Sequence, residues 1–358
     1  ECWEGRRVLF VLPIMHAGGG GNVVLTEARA MIQMGVAVTL ANLSAHREAF
    51  ERSYPHLDVP VIYADSAGDI AMLGRDFDAV VATAYHSVEW LRPLAGVPGG
   101  PVLAYYVQDF EPDFFEPGTR SYGEALSSYS CLPEMRLFTK TQWNRDMVLK
   151  ETGVSAGIVG PSVDVDLFRP RLHLPVDRHQ PVKIVAMVRP STPRRNPEGT
   201  IEVLGRLQQC LGDRIVVAIF GAEDGEPLPE AAERLTLTDH RQIRPGQAAC
   251  LLGSADIFID MSHFQAMGLT AMEAMACGAV PVVPRSGGAS SFACHDVNAL
   301  VVDTGDTAGV VDAVVALVED FERRRRLQAG ALNTVVQHFP EKAAAAILRC
   351  LFPLGQAS

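Results

Sequence analysis

No apolar run in the 358 residues reaches the ~18–20 needed for a membrane-spanning helix, which excludes a helical membrane protein. Basic residues are in short supply: 31 Lys and Arg stand against 42 Asp and Glu, a net charge of −11. A nucleic-acid partner calls for a basic face, and is excluded on that ground. Paired cysteines are missing too. Cys2, Cys131, Cys210, Cys250, Cys277, Cys294 and Cys350 are odd in number and fit no metal-site spacing. They read as reduced thiols of a cytosolic protein. The start, Glu1-Cys2-Trp3, lacks the basic stretch and apolar core of a secretion signal. It also lacks Met, and the expectation is a piece of a larger multidomain protein.

What the chain does have is 48% hydrophobic residues, enough for a large core, and a length that fits two or three domains. Short apolar strands alternate with helical stretches, an α/β order. The first half reads as strands over 7–12, 37–40, 59–63, 79–82, 101–107 and 137–140, with helices over 22–34 and 142–152. A bare glycine loop, Gly18 to Gly21, follows the first strand. It misses the G-x-G-x-x-G spacing, because Val23 stands where the third glycine is required, so NAD binding is set aside. His86 lies in Thr83-Ala84-Tyr85-His86-Ser87 at a strand's C-terminal end, where open α/β sheets place ligands. Gln108, Asp109 and Glu111 belong to the acidic, aromatic segment YYVQDFEPDFF, 105–115. That segment either offers carboxylates and ring faces to sugar hydroxyls or is an ordinary surface loop.

Residues 172–181 form a linker rich in Pro and His, without periodicity. Beyond it the alternation restarts, with strands over 183–188, 215–220, 257–259, 280–283 and 299–302. Helices are expected over 198–210, 269–277, 307–321, 323–338 and 341–351, and Arg323 to Arg326 read as a solvated helix start. The chain is organised around 254–288. There a polar loop leads to Gly268, which admits a helix whose N-terminus suits a phosphate, and Glu273 lies about one turn inside. Arg189 and Arg194 follow the first strand of this half, and paired guanidiniums suit a diphosphate. Asp164 and Asp166 have the spacing of a metal-binding pair, but the further ligands such a site needs are missing.

Ser262, Gln265-Ala266-Met267-Gly268-Leu269 and Glu273, with seven residues between Gln265 and Glu273, resemble the donor-site signature of GT-B glycosyltransferases, family 4 in particular. The resemblance runs on, in order, through Gly18 to Gly21, the crossover from Gly160 to Pro170, Arg189 with Arg194, and Gly287-Gly288. The segment at 105–115 resembles one in bacterial rhamnosyltransferases that build surface polysaccharides. The resemblance implies a GT-B fold of two facing, doubly wound Rossmann-like domains with a cleft between them. An acceptor-side domain would cover 1–165, a nucleotide-sugar domain 166–338, and a C-terminal helix in 339–358 would cross back to the first domain. The implied reaction is metal-independent, retaining transfer of a sugar, L-rhamnose by the 105–115 segment, from a dTDP or UDP sugar. The implied acceptor is a glycan or lipid-linked oligosaccharide, met by peripheral association at the inner face of a membrane. No cofactor is implied.

By the same resemblance Arg189 and Arg194 hold the diphosphate, Glu273 the ribose and Gln265 the sugar. Gly18, Gly19, Gly20, Met267, Gly268, Leu269 and Thr270 contact the donor, and Ile243 of HRQIRPG lies against its base. His86, Gln108, Asp109 and Glu111 are assigned to acceptor or sugar. The chain departs from the family in having Gln265 for Glu, Val188 for the Gly before Arg189, Arg194 for Lys, and Ser291 where Glu is frequent. Two alternatives stay open: a sugar-nucleotide epimerase of the same fold, and a non-catalytic glycan-binding module of a larger protein.

Overall fold

The computed structural model describes residues 2–170 and 180–353. Most of the linker expected over 172–181 lies outside them. The chain divides into two compact units, Glu1–Ser162 with Pro340–Ser358, and Val163–Phe339.

The first unit runs β1 (Arg7–Val11), α1 (Gly19–Gln33), β2 (Ala37–Leu43), α2 (Arg47–Ser53), β3 (Val61–Ala64), α3 (Ala67–Gly74), β4 (Ala79–Ala82) and α4 (Tyr85–Trp90). It continues through β5 (Val102–Val107), α5 (Arg120–Ser127), β6 (Arg136–Thr139), α6 (Gln142–Thr152) and the two-residue β7 (Gly157–Ile158). All seven strands are parallel, in the order β3-β2-β1-β4-β5-β6-β7. β4 is buried throughout and β1 from Val8 onward, as in parallel sheets covered on both faces, and this is why 8–11 and 79–82 read as unbroken apolar runs. The order reverses between β1 and β4, and Thr83 ties that point together by donating its hydroxyl to the Val11 carbonyl at 2.7 Å.

The second unit repeats the plan with β8 (Val182–Met187), α7 (Pro197–Leu211), β9 (Ile215–Phe220), β10 (Leu237–Asp239), α8 (Pro245–Leu252) and β11 (Ile257–Ile259). Then come α9 (Leu269–Ala276), β12 (Val280–Pro284), β13 (Leu300–Val302), α10 (Thr307–Glu319) and α11 (Phe321–Val335). Six parallel strands lie in the order β10-β9-β8-β11-β12-β13, so the switch point falls between β8 and β11. After Phe339 the chain returns to the first unit as α12 (Pro340–Leu351), which packs on α1 and β6. Ala343, Ala344, Ile347, Leu348 and Leu351 are buried there. The Arg136 guanidinium donates to the carbonyls of Cys350 and Leu351 at 2.8 and 2.7 Å, satisfying the open end of that helix.

Two sequence expectations need correction. The helix α1 begins at Gly19, not at residue 22, so Gly19, Gly20 and Gly21 form its first turn behind Gly18 as the N-cap. At Gly21 the lack of a side chain is a packing requirement, since a Cβ there would lie 2.6 Å from the Ile14 side chain. Arg324 is not solvated. It is 6% exposed and donates to the Leu317 and Val318 carbonyls, closing the C-terminus of α10. The helices α2, α3, α4, α5 and α8 and the edge strands β7 and β10 had no sequence expectation at all.

The first unit also holds a buried ionic network. Glu27 on α1, 1% exposed, accepts from Lys140 at the end of β6, from Ser162 at 3.0 Å and from the Tyr106 hydroxyl at 2.8 Å. Lys140 also donates to Ser162 at 2.9 Å. Both charged groups of the pair have further hydrogen-bond partners, which is the condition for burying such a pair without heavy loss. The network ties α1 and β6 to Ser162.

Candidate functional site

In the second unit the residues singled out from sequence collect at the β8/β11 switch point, where doubly wound sheets place their ligands. Arg189 follows β8 and Arg194 sits in the 3-10 turn Pro193–Arg195. The turn is held from two sides. His263 donates its backbone N–H to the Arg194 carbonyl at 2.9 Å, and Glu226 accepts the Ser191 N–H at 2.7 Å. Asn196, in the left-handed region at φ 52°, caps α7 through Gly199 and donates to the Met261 carbonyl at 3.1 Å. This welds the Arg189–Arg194 segment to the loop after β11.

That loop carries a second network. Asp260, 6% exposed, accepts at Oδ1 from the Ser262 N–H (3.0 Å) and hydroxyl (2.6 Å), and at Oδ2 from the Gln265 side-chain amide. The same amide nitrogen donates to Ser262 Oγ at 3.1 Å. The Gln265 backbone is pinned as well, its carbonyl accepting the Gly288 N–H at 2.7 Å. Gly287 makes the approach feasible: at φ 114° its missing Cβ would sit 2.6 Å from the Gln265 carbonyl oxygen. Gly268 (φ 85°) is the N-cap of α9, so the N–H groups of Leu269 and Thr270 fall in the first turn, where a helix leaves its donors open.

Glu273 stands one turn into α9. Burial, first, and Asp164 push its carboxyl up to about 8, against the lowering effect of Arg189. The Arg189 guanidinium is in turn held below its ordinary range by burial and by Arg194, while Glu223, Glu226 and Glu273 oppose the shift. Two cations, a carboxyl and a helix N-terminus thus share one field. Asp164 Oδ1 is occupied by the N–H groups of Asp166 and Leu167 at 3.1 and 3.0 Å, which makes it a turn-former. Among the described residues no group of three His, Cys, Asp or Glu could hold a metal ion.

Not every expected residue faces this place. Met267 is 8% exposed and its side chain packs, with Ala271, Met275 and Phe292, in the core of the unit. Ile243 is half-buried against the same cluster. Asp260 was missed, because an Asp at a strand end reads as solvated until its donors are seen.

In the first unit Gly18 to Gly20 form the N-terminus of α1, and Gly20 lies against Gln108, 3.6 Å from where a Cβ would be. His86 sits on the first turn of α4 between the rings of Tyr85 and Trp90. Partial desolvation and then His46 lower its pKa. Asp109 is half-buried and accepts the Phe110 N–H. Glu111 is turned inward, 5% exposed. It accepts from the Tyr105 hydroxyl at 2.5 Å and from the Tyr85 N–H at 2.9 Å, and so caps α4. Burial raises its carboxyl to about 7, with Asp109 adding and the Tyr105 and Tyr85 hydrogen bonds opposing.

Residues 174–334 match the sequence model of the family described as Glycosyl transferases group 1. The D-inositol 3-phosphate glycosyltransferase of Xylanimonas cellulosilytica is 30% identical over 212 residues, 53% of this chain and 49% of that protein. The lipopolysaccharide core biosynthesis glycosyltransferase LpsD of Rhizobium meliloti is 31% identical over 134 residues, 37% of this chain and 39% of that one. The chain therefore spans about half, or less, of these curated relatives. The crystal structure of Anabaena HepE in complex with UDP and glucose superposes with a TM-score of 0.78 at 16% identity, covering 98% of this chain and 100% of that one. No helix of the described residues is long and apolar enough to cross a membrane. The fold is GT-B, and the sequence of its second unit matches the group 1 glycosyltransferases.

Proposed function

We propose that the chain transfers a hexosyl or deoxyhexosyl group from a nucleoside diphosphate sugar, UDP- or dTDP-linked, to a glycan hydroxyl with retention at the anomeric carbon. The observation that carries this reading is the gathering of Arg189, Arg194, Glu273 and the α9 N-terminus at the β8/β11 switch point. When the bond between the sugar and the diphosphate breaks, negative charge grows on the diphosphate. Two guanidiniums and a helix N-terminus stabilise it there more than in the ground state, which is how such groups accelerate a reaction. The acceptor hydroxyl attacks from the same face, and the departing phosphate takes its proton. Glu273 accepts the ribose hydroxyls.

The names of the relatives support an inositol phosphate or lipopolysaccharide-type acceptor, and the Anabaena structure supports a UDP donor. Within the class the proposed sugar is L-rhamnose, on the 105–115 resemblance alone, since Met267 packs in the core and Glu111 caps a helix. The test is release of nucleoside diphosphate from a panel of UDP-glucose, UDP-N-acetylglucosamine and dTDP-L-rhamnose, with and without excess EDTA. Activity on at least one donor, persisting in EDTA, is expected. Faster turnover of the glucose donors overturns rhamnose only; loss in EDTA overturns metal independence; no turnover and no UDP binding overturns the whole reading.

A further inference from the structure

Gln265 has two amide hydrogens, and both are used: one goes to Asp260 Oδ2, the other to Ser262 Oγ. Ser262 Oγ can accept because its own hydrogen goes to Asp260 Oδ1. The direction of every bond in this chain follows from Asp260, which as a carboxylate can only accept. An amide turned the other way would set its carbonyl oxygen against that carboxylate. Among the described residues no hydrogen bond engages Gln265 Oε1. Thr304 steadies the arrangement by donating to the Ser262 carbonyl at 3.1 Å.

We propose that Asp260 is a positioning residue that locks the Gln265 amide with its carbonyl oxygen presented as the acceptor for a hydroxyl of the donor sugar. The assignment rests on the donor site proposed above. It also accounts for Gln where the family has Glu: beside Asp260 a second buried carboxylate would be repelled, whereas an amide supplies both the missing donor and one carbonyl acceptor. Asp260 touches no substrate itself; it fixes which atom of Gln265 does.

A two-arm cycle tests this with D260N, Q265E and the double variant at pH 8. In the first arm thermal unfolding is read on the free protein. Q265E is expected to melt lower, and adding D260N to restore most of the loss, because the amide introduced at position 260 can donate to the carboxylate introduced at position 265. Additive losses overturn the Asp260–Gln265 coupling. In the second arm donor hydrolysis is followed with UDP-glucose and dTDP-L-rhamnose, and UDP is used as inhibitor. D260N is expected to lower kcat/KM by about threefold to tenfold, the effect of one neutral hydrogen bond, with UDP inhibition unchanged and with recovery in the double variant. A fall in UDP affinity as large as the fall in kcat/KM, or no fall in either, overturns the positioning role. If D260N does not fold, S262A, which frees one amide hydrogen, must give the same split. If the wild type hydrolyses neither sugar, the donor site and the sugar assignment fall together, and the melting arm alone decides the coupling.

Discussion

Glu273 is where one side chain governs two properties. Its carboxyl, with a pKa raised to about 8 and so largely protonated at neutral pH, binds the two ribose hydroxyls in the proposed complex, and neutral hydrogen bonds contribute roughly 0.5–1.5 kcal/mol each. Glu273→Ala should therefore weaken UDP binding about tenfold or more; calorimetry giving wild-type affinity in a folded variant removes Glu273 from the site. The same group makes stability depend on pH. Its folded pKa of about 8 lies above the ordinary carboxyl value of ~4.3. The folded state then holds the proton more tightly, so the contribution to stability is full below ~4.3 and is lost as pH rises toward 8. Wild type should melt lower at pH 9 than at pH 6, and Glu273→Gln should flatten that decline. Parallel curves for the two proteins would show that Glu273 does not titrate in this window. Glu27 makes the contrasting case. Removing it leaves Lys140 buried and uncompensated, a change that costs about 3–5 kcal/mol, so Glu27→Ala should be strongly destabilising in urea titration, and a near-neutral result would deny the network its weight. Glu273 was legible because its spacing to Gln265 and Gly268 is local. Glu27 was not, because its partner lies 113 residues away.

Among elements, the turn before α9 depends on Gly287. Its φ of 114° and ψ of −173° are close to forbidden for any side chain. An added methyl would also meet the Gln265 backbone. Gly287→Ala should cost at least ~1–3 kcal/mol from strain alone and should lower UDP-sugar binding by moving Gln265 and the α9 N-terminus; unchanged melting and donor turnover would show that the clamp is dispensable. The strands over 215–220 and 257–259 and the helix over 142–152 were legible to the residue, since the strands are apolar runs and the helix is bounded by a capping Thr141 and a left-handed Gly153. Elements at the rim were not. Leu237–Asp239 is a three-residue edge strand with one polar end, and Gly157–Ile158 is a two-residue edge strand without a buried side chain, so both are too short to carry a clear pattern. Pro245-Gly246 reads as a turn, yet Pro at the first helical position starts α8, with Gln247 closing the cap on the Arg244 N–H. The glycines of α1 mislead for a related reason: a glycine run suggests a loop, whereas here it forms a helical first turn in which Gly21 packs against Ile14.

At the scale of the molecule the two units differ in continuity. The second is one uninterrupted stretch, Val163–Phe339, with its own sheet and core clusters, and it contains Arg189, Arg194, Asp260, Gln265 and Glu273 together. The first is assembled from both ends of the chain, because α12 supplies part of its core. Five buried apolar positions on α12 face α1 and β6, and burying such side chains contributes roughly 1.5–3 kcal/mol each for the larger ones. That is comparable to the ~5–15 kcal/mol by which whole domains are stable. Two outcomes follow from this asymmetry. Residues 163–339 expressed alone should unfold cooperatively, and UDP should raise their melting temperature by mass action, as the proposed donor site also requires of the full chain. A chain ending at residue 339 should keep that UDP-responsive transition while its first unit, stripped of α12, loses cooperative unfolding. Differential scanning calorimetry of both pieces distinguishes the cases. A 163–339 fragment that folds but gains nothing from UDP would place part of the nucleotide site outside this unit, and a cooperative first unit in the truncated chain would mean that α12 is an accessory to its core.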